Sequence, residues 1–168
     1  MTGQPNKLCK ETALARERKP TWRRLSYMTY ITSRGFDLPT SVESFRNAYY
    51  FNMWQKRLWP YKELIPGDEL LWYETPSGRL VWRSRVVDVE RFPYSSKNDA
   101  RDRLVSRFGA LDEQQPYFRD APDRGYCLAY KVDPLERLAI HKPEGLRFPM
   151  SGWLRDAPTI AAWLARHG

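Results

Sequence analysis

Two turn signals, Ile65-Pro66-Gly67-Asp68 and Thr75-Pro76-Ser77-Gly78, bracket the run Glu69-Leu70-Leu71-Trp72-Tyr73. The second turn opens onto a longer run, Arg79 to Phe92. Proline presets the turn backbone and glycine supplies the positive φ, so each tetrapeptide is a turn with a physical cause. In the longer run Leu80, Trp82, Ser84, Val86 and Asp88 alternate with Val81, Arg83, Arg85, Val87 and Val89. A period of two is that of a strand, and two strands around a tight turn make a β-hairpin. A hairpin with one strand this long needs further strands beside it, so the chain must build a sheet.

The remaining segments supply them. Ser26 to Thr32 is rich in strand formers and is broken by Ser33-Arg34-Gly35. Thr40-Ser41-Val42-Glu43 has the form of a capping box and predicts a short helix to about Asn47. Phe92-Pro93-Tyr94-Ser95-Ser96 reads as a loop. Ser96, Asp99 and Gly109 mark the ends of a helix over 97–108. Residues 110–124 read as a polar loop, 125–132 and 135–141 as two strands, and Asp156-Ala157-Pro158 as the start of a last helix over 159–166. Strands and short helices mix without βαβ alternation. The expected class is α+β: a mixed or antiparallel sheet curled into a partial barrel, flanked by short helices.

Charge is unevenly distributed. Residues 1–24 hold seven cations, Arg23 and Arg24 among them, against Glu11 and Glu17, which leaves +5 of the net +8 in this segment. It reads as a mobile basic arm, with 25–168 as a single domain. A basic balance favours polyanion partners through counterion release. Cys9 and Cys127 are too few and too far apart for a disulfide framework or a zinc site, so no metal and no cofactor are expected. No apolar run is long enough to cross a bilayer, and no secretory signal opens the chain. The expected setting is cytoplasmic, nucleoid-associated if prokaryotic, with no membrane partner.

Aromatic content is the larger anomaly: 7 Trp, 10 Tyr and 7 Phe in 168 residues. Six aromatics fall between Tyr49 and Tyr61, interleaved with Asn52, Gln55, Lys56 and Arg57. Two readings stand. One makes this stretch a helix and loop that supply core mass. The other puts one or two rings on a pocket rim, where stacking a base is worth about 1–3 kcal/mol, with Lys56 and Arg57 on phosphates.

Catalytic patterns are absent. The two histidines, His141 and His167, do not cluster as an HNH nuclease requires, and the carboxylates show no Asp/Glu-x-Lys arrangement for magnesium. There is no Gly-x-Ser-x-Gly elbow and no phosphate-cradling glycine motif. The chain reads as a binder rather than an enzyme.

Several segments, in order, resemble the PUA-like superfamily, its EVE and YTH branches above all, with ASCH and SRA domains further off. The opening strand Tyr27 to Thr32 followed by Ser33, the Gly67-Asp68 turn with its strand ending in Trp72-Tyr73, the strand from Ser77 to Val86, and the pair Tyr126–Val132 and Leu135–Ile140 carry the likeness over 26–155. The resemblance implies a reader of a modified base, most often 5-methylcytosine in DNA, flipped into an aromatic pocket. On that basis the pocket residues would be Tyr49, Tyr50, Trp54 and Tyr94, with Trp72 and Trp82 behind them. Thr32, Ser33 and Asn52 would read the base edge. Arg23, Arg24, Arg34, Lys56, Arg57, Arg79 and Arg83 would lie along the phosphate backbone. The expected partner is duplex DNA, with a separate nuclease as a possible companion. The alternatives are an RNA-binding ASCH- or YTH-like domain and a small nucleic-acid hydrolase.

Overall fold

The computed structural model describes residues 27–155 and 157–167. The segment expected as a basic arm, with Arg23, Arg24 and Cys9, lies outside the described residues. The elements run β1 (Thr29–Arg34), α1 (Val42–Asn47), β2 (Tyr50–Trp54), β3 (Glu69–Glu74), β4 (Arg79–Tyr94), α2 (Lys97–Phe108), α3 (Pro116–Arg119), β5 (Gly125–His141), β6 (Trp153–Leu154) and α4 (Ala157–Leu164), with a closing 3-10 turn. The six strands form one mixed sheet in the order β2-β5-β4-β3-β1-β6, in which only β1 and β3 run parallel. No helix among the described residues is long and apolar enough to cross a membrane.

The hairpin expected from the turns is present as β3 and β4, with Trp72 paired to Trp82. Gly67 sits at φ 99°, a conformation that favours glycine, with the exposed Tyr27 ring lying close against it. Asp68 is fully buried and ties the turn to the opening strand. Its Oδ1 accepts from Met28 N–H at 2.8 Å and its Oδ2 from Ile65 N–H at 3.0 Å.

Alternation along the strands sorts side chains to two faces. Tyr30, Tyr50, Leu70, Trp72, Trp82, Leu128, Tyr130 and Trp153 form the inner cluster, capped by Phe45 of α1, which stacks on Trp82 at 4.8 Å. The outer face is covered twice. Phe51, Met53, Phe92 and Tyr94 lie with Ala100 and Leu104 of α2 and Phe118 of α3. Ile31, Leu71, Tyr73 and Leu80 lie with Ile160 and Trp163 of α4. Strands buried on both faces explain why their sequences look continuously apolar. Fully burying one such side chain stabilises by about 1.5–3 kcal/mol.

The sequence expectations need five corrections. The aromatic stretch at 50–54 is strand β2, because alternate rings are taken up by opposite faces. The residue that caps α1 is Ser41, whose hydroxyl accepts from Ser44 N–H at 3.1 Å; the expected cap was Thr40. Tyr94 ends β4 rather than lying in a loop. Residues 125–132 and 135–141 are one strand, since β4 is long enough to pair with both. Within the expected polar loop, Pro116 opens α3, where a missing N–H costs nothing. Helix 97–108 is as expected, with Ser96 accepting from Asp99 N–H and Gly109 at φ 105°.

Candidate functional site

The two edges of the sheet, β2 and β6, come together through side chains. Trp153 Nε1 donates to Asn52 Oδ1 at 3.3 Å. Arg34, at the end of β1, donates from Nη2 to the same oxygen at 3.3 Å and also to the Tyr130 hydroxyl. Arg34 is 1% exposed, with its guanidinium 4.7 Å from the Tyr117 ring centroid and 5.6 Å from that of Trp72. Its Nε and Nη1 are buried without a hydrogen-bond partner among the described residues. Burial works against this charge, but the Tyr130 and Tyr117 phenols outweigh it and hold the pKa above the ordinary value. Tyr130 is pushed up to about 12 by burial, opposed by Arg34 and by the Thr32 hydroxyl.

Outside this seam lies a cleft of about 340 Å³, within the size range of small-ligand sites. Its walls are Ser33 at the end of β1, Asn52 and Trp54 of β2, Tyr117 and Asp120 around α3, and the 149–152 loop. Asn52, 4% exposed, is the most buried of these residues, and Met150, fully exposed, stands at the rim. Ser33 Oγ donates to Gly152 O at 3.3 Å, which fixes the loop against β1. The Arg119 hydrogen bond holds Asp120 below the usual carboxylate range. Asp120 is ion-paired with Arg119 at 2.8 Å, so this wall contributes a compensated charge rather than a free one.

Two further cavities adjoin it. One, of about 480 Å³, shares Met53, Trp54, Asp120 and Met150 and adds Lys56 and Leu58. The next, of about 550 Å³, shares Gln55 and adds Tyr94, Arg124, Gly125 and Tyr126. Lys56 and Arg124 are exposed, with no ion pair among the described residues. Arg57 lies over the Tyr126 ring at 4.9 Å. Gly125 lets this groove form: a Cβ there would sit 2.1 Å from the Trp54 carbonyl oxygen.

Of the residues expected in the pocket, Ser33, Asn52 and Trp54 meet in the cleft, and the others do not. Tyr49 stacks on Phe108 at 5.0 Å under α2, its pKa raised to about 12 by burial. Tyr50 is inner core, donating to Phe45 O. Tyr94 is buried and donates to Pro122 O at 2.9 Å, showing only an edge to the far cavity. Trp72 and Trp82 are sealed in the core, their indole N–H groups held by Ser84 Oγ and Pro39 O. Thr32 is sealed beside Tyr130, between Trp72 and Trp153 in register. The expected four-ring cage is therefore not assembled, because strand alternation sends Tyr50 inward and Tyr49 beneath the helix.

The phosphate candidates divide likewise. Lys56 and Arg57 flank the groove. Arg34 is buried and cannot reach a surface phosphate. Arg83 is clamped by Glu69 at 2.7 Å, and Arg79 is exposed at the far end of the β3–β4 turn. Sequence reasoning missed Tyr117, Ser151 and Trp153. Only Pro116, as a helix opener, hinted at the first. Among the described residues no group of three His, Cys, Asp or Glu side chains is placed to hold a metal ion.

No protein-family model matches the sequence, and neither does any curated protein. Solved structures do match in fold. The crystal structure of ASCH from Zymomonas mobilis is 17% identical, covers 80% of this chain and 94% of its own, and superposes with a TM-score of 0.50. A serine-to-alanine variant of that organism's ASCH protein gives 14%, 82%, 94% and 0.54. A tyrosine-to-phenylalanine variant gives 14%, 80%, 95% and 0.51. The curled six-stranded sheet with short helices is thus similar in fold to the ASCH structures of Zymomonas mobilis. The sequence likeness had set ASCH domains further off than EVE and YTH.

Proposed function

We propose that this chain binds single-stranded nucleic acid, RNA before DNA, and takes one unpaired base into the cleft between β1, β2 and α3. Trp54 and Tyr117 supply the ring faces. Asn52, Ser33 and Ser151 supply polar atoms for the base edge. The backbone would leave over Lys56 toward Arg124 and Tyr126 along the adjoining cavities.

The observation that carries this reading is the Asn52 carboxamide. Two donors occupy its oxygen, so its amide group is left to face a cavity walled by an aromatic ring. That pairing of a stacking surface with an oriented polar group is what recognition of an unstacked base requires.

Most of the net charge of +8 lies in residues 1–24. Residues 25–168 carry 21 cations against 18 carboxylates, a net of only +3. A duplex would have to be opened at a cost of a few kcal/mol, and of the four rings expected to repay this for a methylated cytosine only Trp54 stands in the cleft. An already unpaired base avoids that cost.

Fluorescence anisotropy with labelled single-stranded RNA, single-stranded DNA, and duplex DNA with and without 5-methylcytosine tests the proposal. Single-stranded RNA should bind most tightly. Trp54→Ala should weaken it by about 1–3 kcal/mol. Tightest binding to the methylated duplex, or indifference to Trp54→Ala, would overturn it.

A further inference from the structure

We infer that the cleft selects bases whose far edge carries a carbonyl, uracil and guanine, over those that carry an amine there, cytosine and adenine, because Arg34 and Trp153 lock Asn52 as a pure donor. The inference rests on the base-binding reading of the same cleft and adds which bases it takes.

A primary carboxamide has an accepting end and a donating end, and in an open site it can turn to suit either kind of ligand. Asn52 cannot turn. The Arg34 guanidinium and the Trp153 indole have only hydrogens to offer, and both point at one side-chain atom of Asn52 at 3.3 Å. Reversing the amide would set its NH₂ against two donors. Each anchor is itself fixed: Arg34 is packed against Tyr117 and bonded to Tyr130, and Trp153 is 1% exposed in the inner cluster. The amide nitrogen makes no hydrogen bond to any described residue, so it is the group offered to the cavity.

Depth decides which atom of a base it meets. The sugar and phosphate stay outside with the exposed Lys56, so the base enters with the edge opposite its glycosidic bond leading. Asn52 is the most buried residue of the lining. That leading edge carries O4 in uracil and O6 in guanine, both acceptors, but the N4 or N6 amine in cytosine and adenine. Ser151 keeps its hydroxyl proton and can donate or accept, whereas Ser33 has given its proton to Gly152 O and offers only an acceptor. Ser33 is less buried than Asn52, so the deepest contact sets the choice.

The test is anisotropy titration of the full chain with single-stranded oligouridylate and oligocytidylate of equal length, on wild type and on Asn52→Asp. The aspartate keeps the shape, gives Arg34 and Trp153 an oxygen to bond, and turns an acceptor toward the cleft. Wild type should prefer uridylate by about fivefold, the worth of one net hydrogen bond. Asn52→Asp should prefer cytidylate. Trp153→Phe, with one anchor gone, should pull the wild-type ratio toward one while total affinity changes little, which marks Trp153 as a positioning residue. Equal binding of both oligomers by wild type, or equal weakening of both by Asn52→Asp without inversion, would overturn the inference and leave single-strand binding standing. Binding of neither oligomer by wild type would overturn the base-binding reading itself.

Discussion

Trp153 on β6 and Asn52 on β2, at opposite edges of a six-stranded sheet, meet through a hydrogen bond of 3.3 Å. The curl of the sheet brings the edges within reach, and this bond, with Arg34 reaching across from β1, holds the seam. Removing the indole N–H in Trp153→Phe keeps most of the apolar packing and loses the bond. The expected loss is about 1 kcal/mol of folding stability by denaturant titration. No loss would mean that packing alone closes the seam.

Arg34→Met should behave differently. Burying this cation carries a desolvation cost that its contacts with Tyr130, Tyr117 and Asn52 offset, and a methionine of similar length fills the space without either the cost or the contacts. The variant should be as stable as wild type or more so, and discrimination between oligonucleotides should fall because the Asn52 amide is freed. A destabilisation above about 2 kcal/mol would instead make Arg34 a strut of the fold.

Asp68→Ala should be costly. The carboxylate accepts from the Met28 and Ile65 backbone N–H groups, and alanine leaves both without that acceptor. The expected loss is about 2–4 kcal/mol, read as a lower melting midpoint, with the opening strand loosened first in hydrogen exchange.

Alkaline pH should unfold the protein in a defined window. Burial raises Tyr49, Tyr94 and Tyr130 from 10.0 to about 12 and pushes the Cys127 thiol well above its ordinary 9.0. The folded state therefore favours the protonated forms. The stability this contributes is whole below the ordinary values and is lost as pH rises through the raised ones. Tryptophan fluorescence and phenolate absorbance should change together as pH climbs from 10 toward 12. Titration of all ten tyrosines near 10 with the fold intact would contradict the burial of these phenols.

Local chemistry made much of the fold legible. Pro66-Gly67-Asp68 and Pro76-Ser77-Gly78 gave the hairpin, Ser96 and Gly109 the ends of α2, and alternation in 80–86 the buried face. Residues 50–54 were not legible as a strand. Both faces of β2 are buried, so no polar alternation marks it, and short apolar runs do not separate strand from helix. The site was legible in part. Ser33 and Trp54 lie near strand ends, where polar or aromatic residues beside turns stand out, and Asn52 is the one amide in the otherwise apolar and aromatic run Tyr50–Trp54. Tyr117 and Trp153 carry no such mark, since their importance comes from partners 83 and 101 residues away in sequence, Arg34 and Asn52.

The sequence by itself determined the class of this protein: an α+β chain with a curled sheet, an excess of aromatic rings and a basic N-terminal composition, because period, turn chemistry and composition are local properties. Only the tertiary structure decided which rings are core and which face a ligand, and that Asn52 is a donor. Those depend on which side of the sheet a residue lands and on what the distant edge strand brings to meet it, which chain neighbours do not encode.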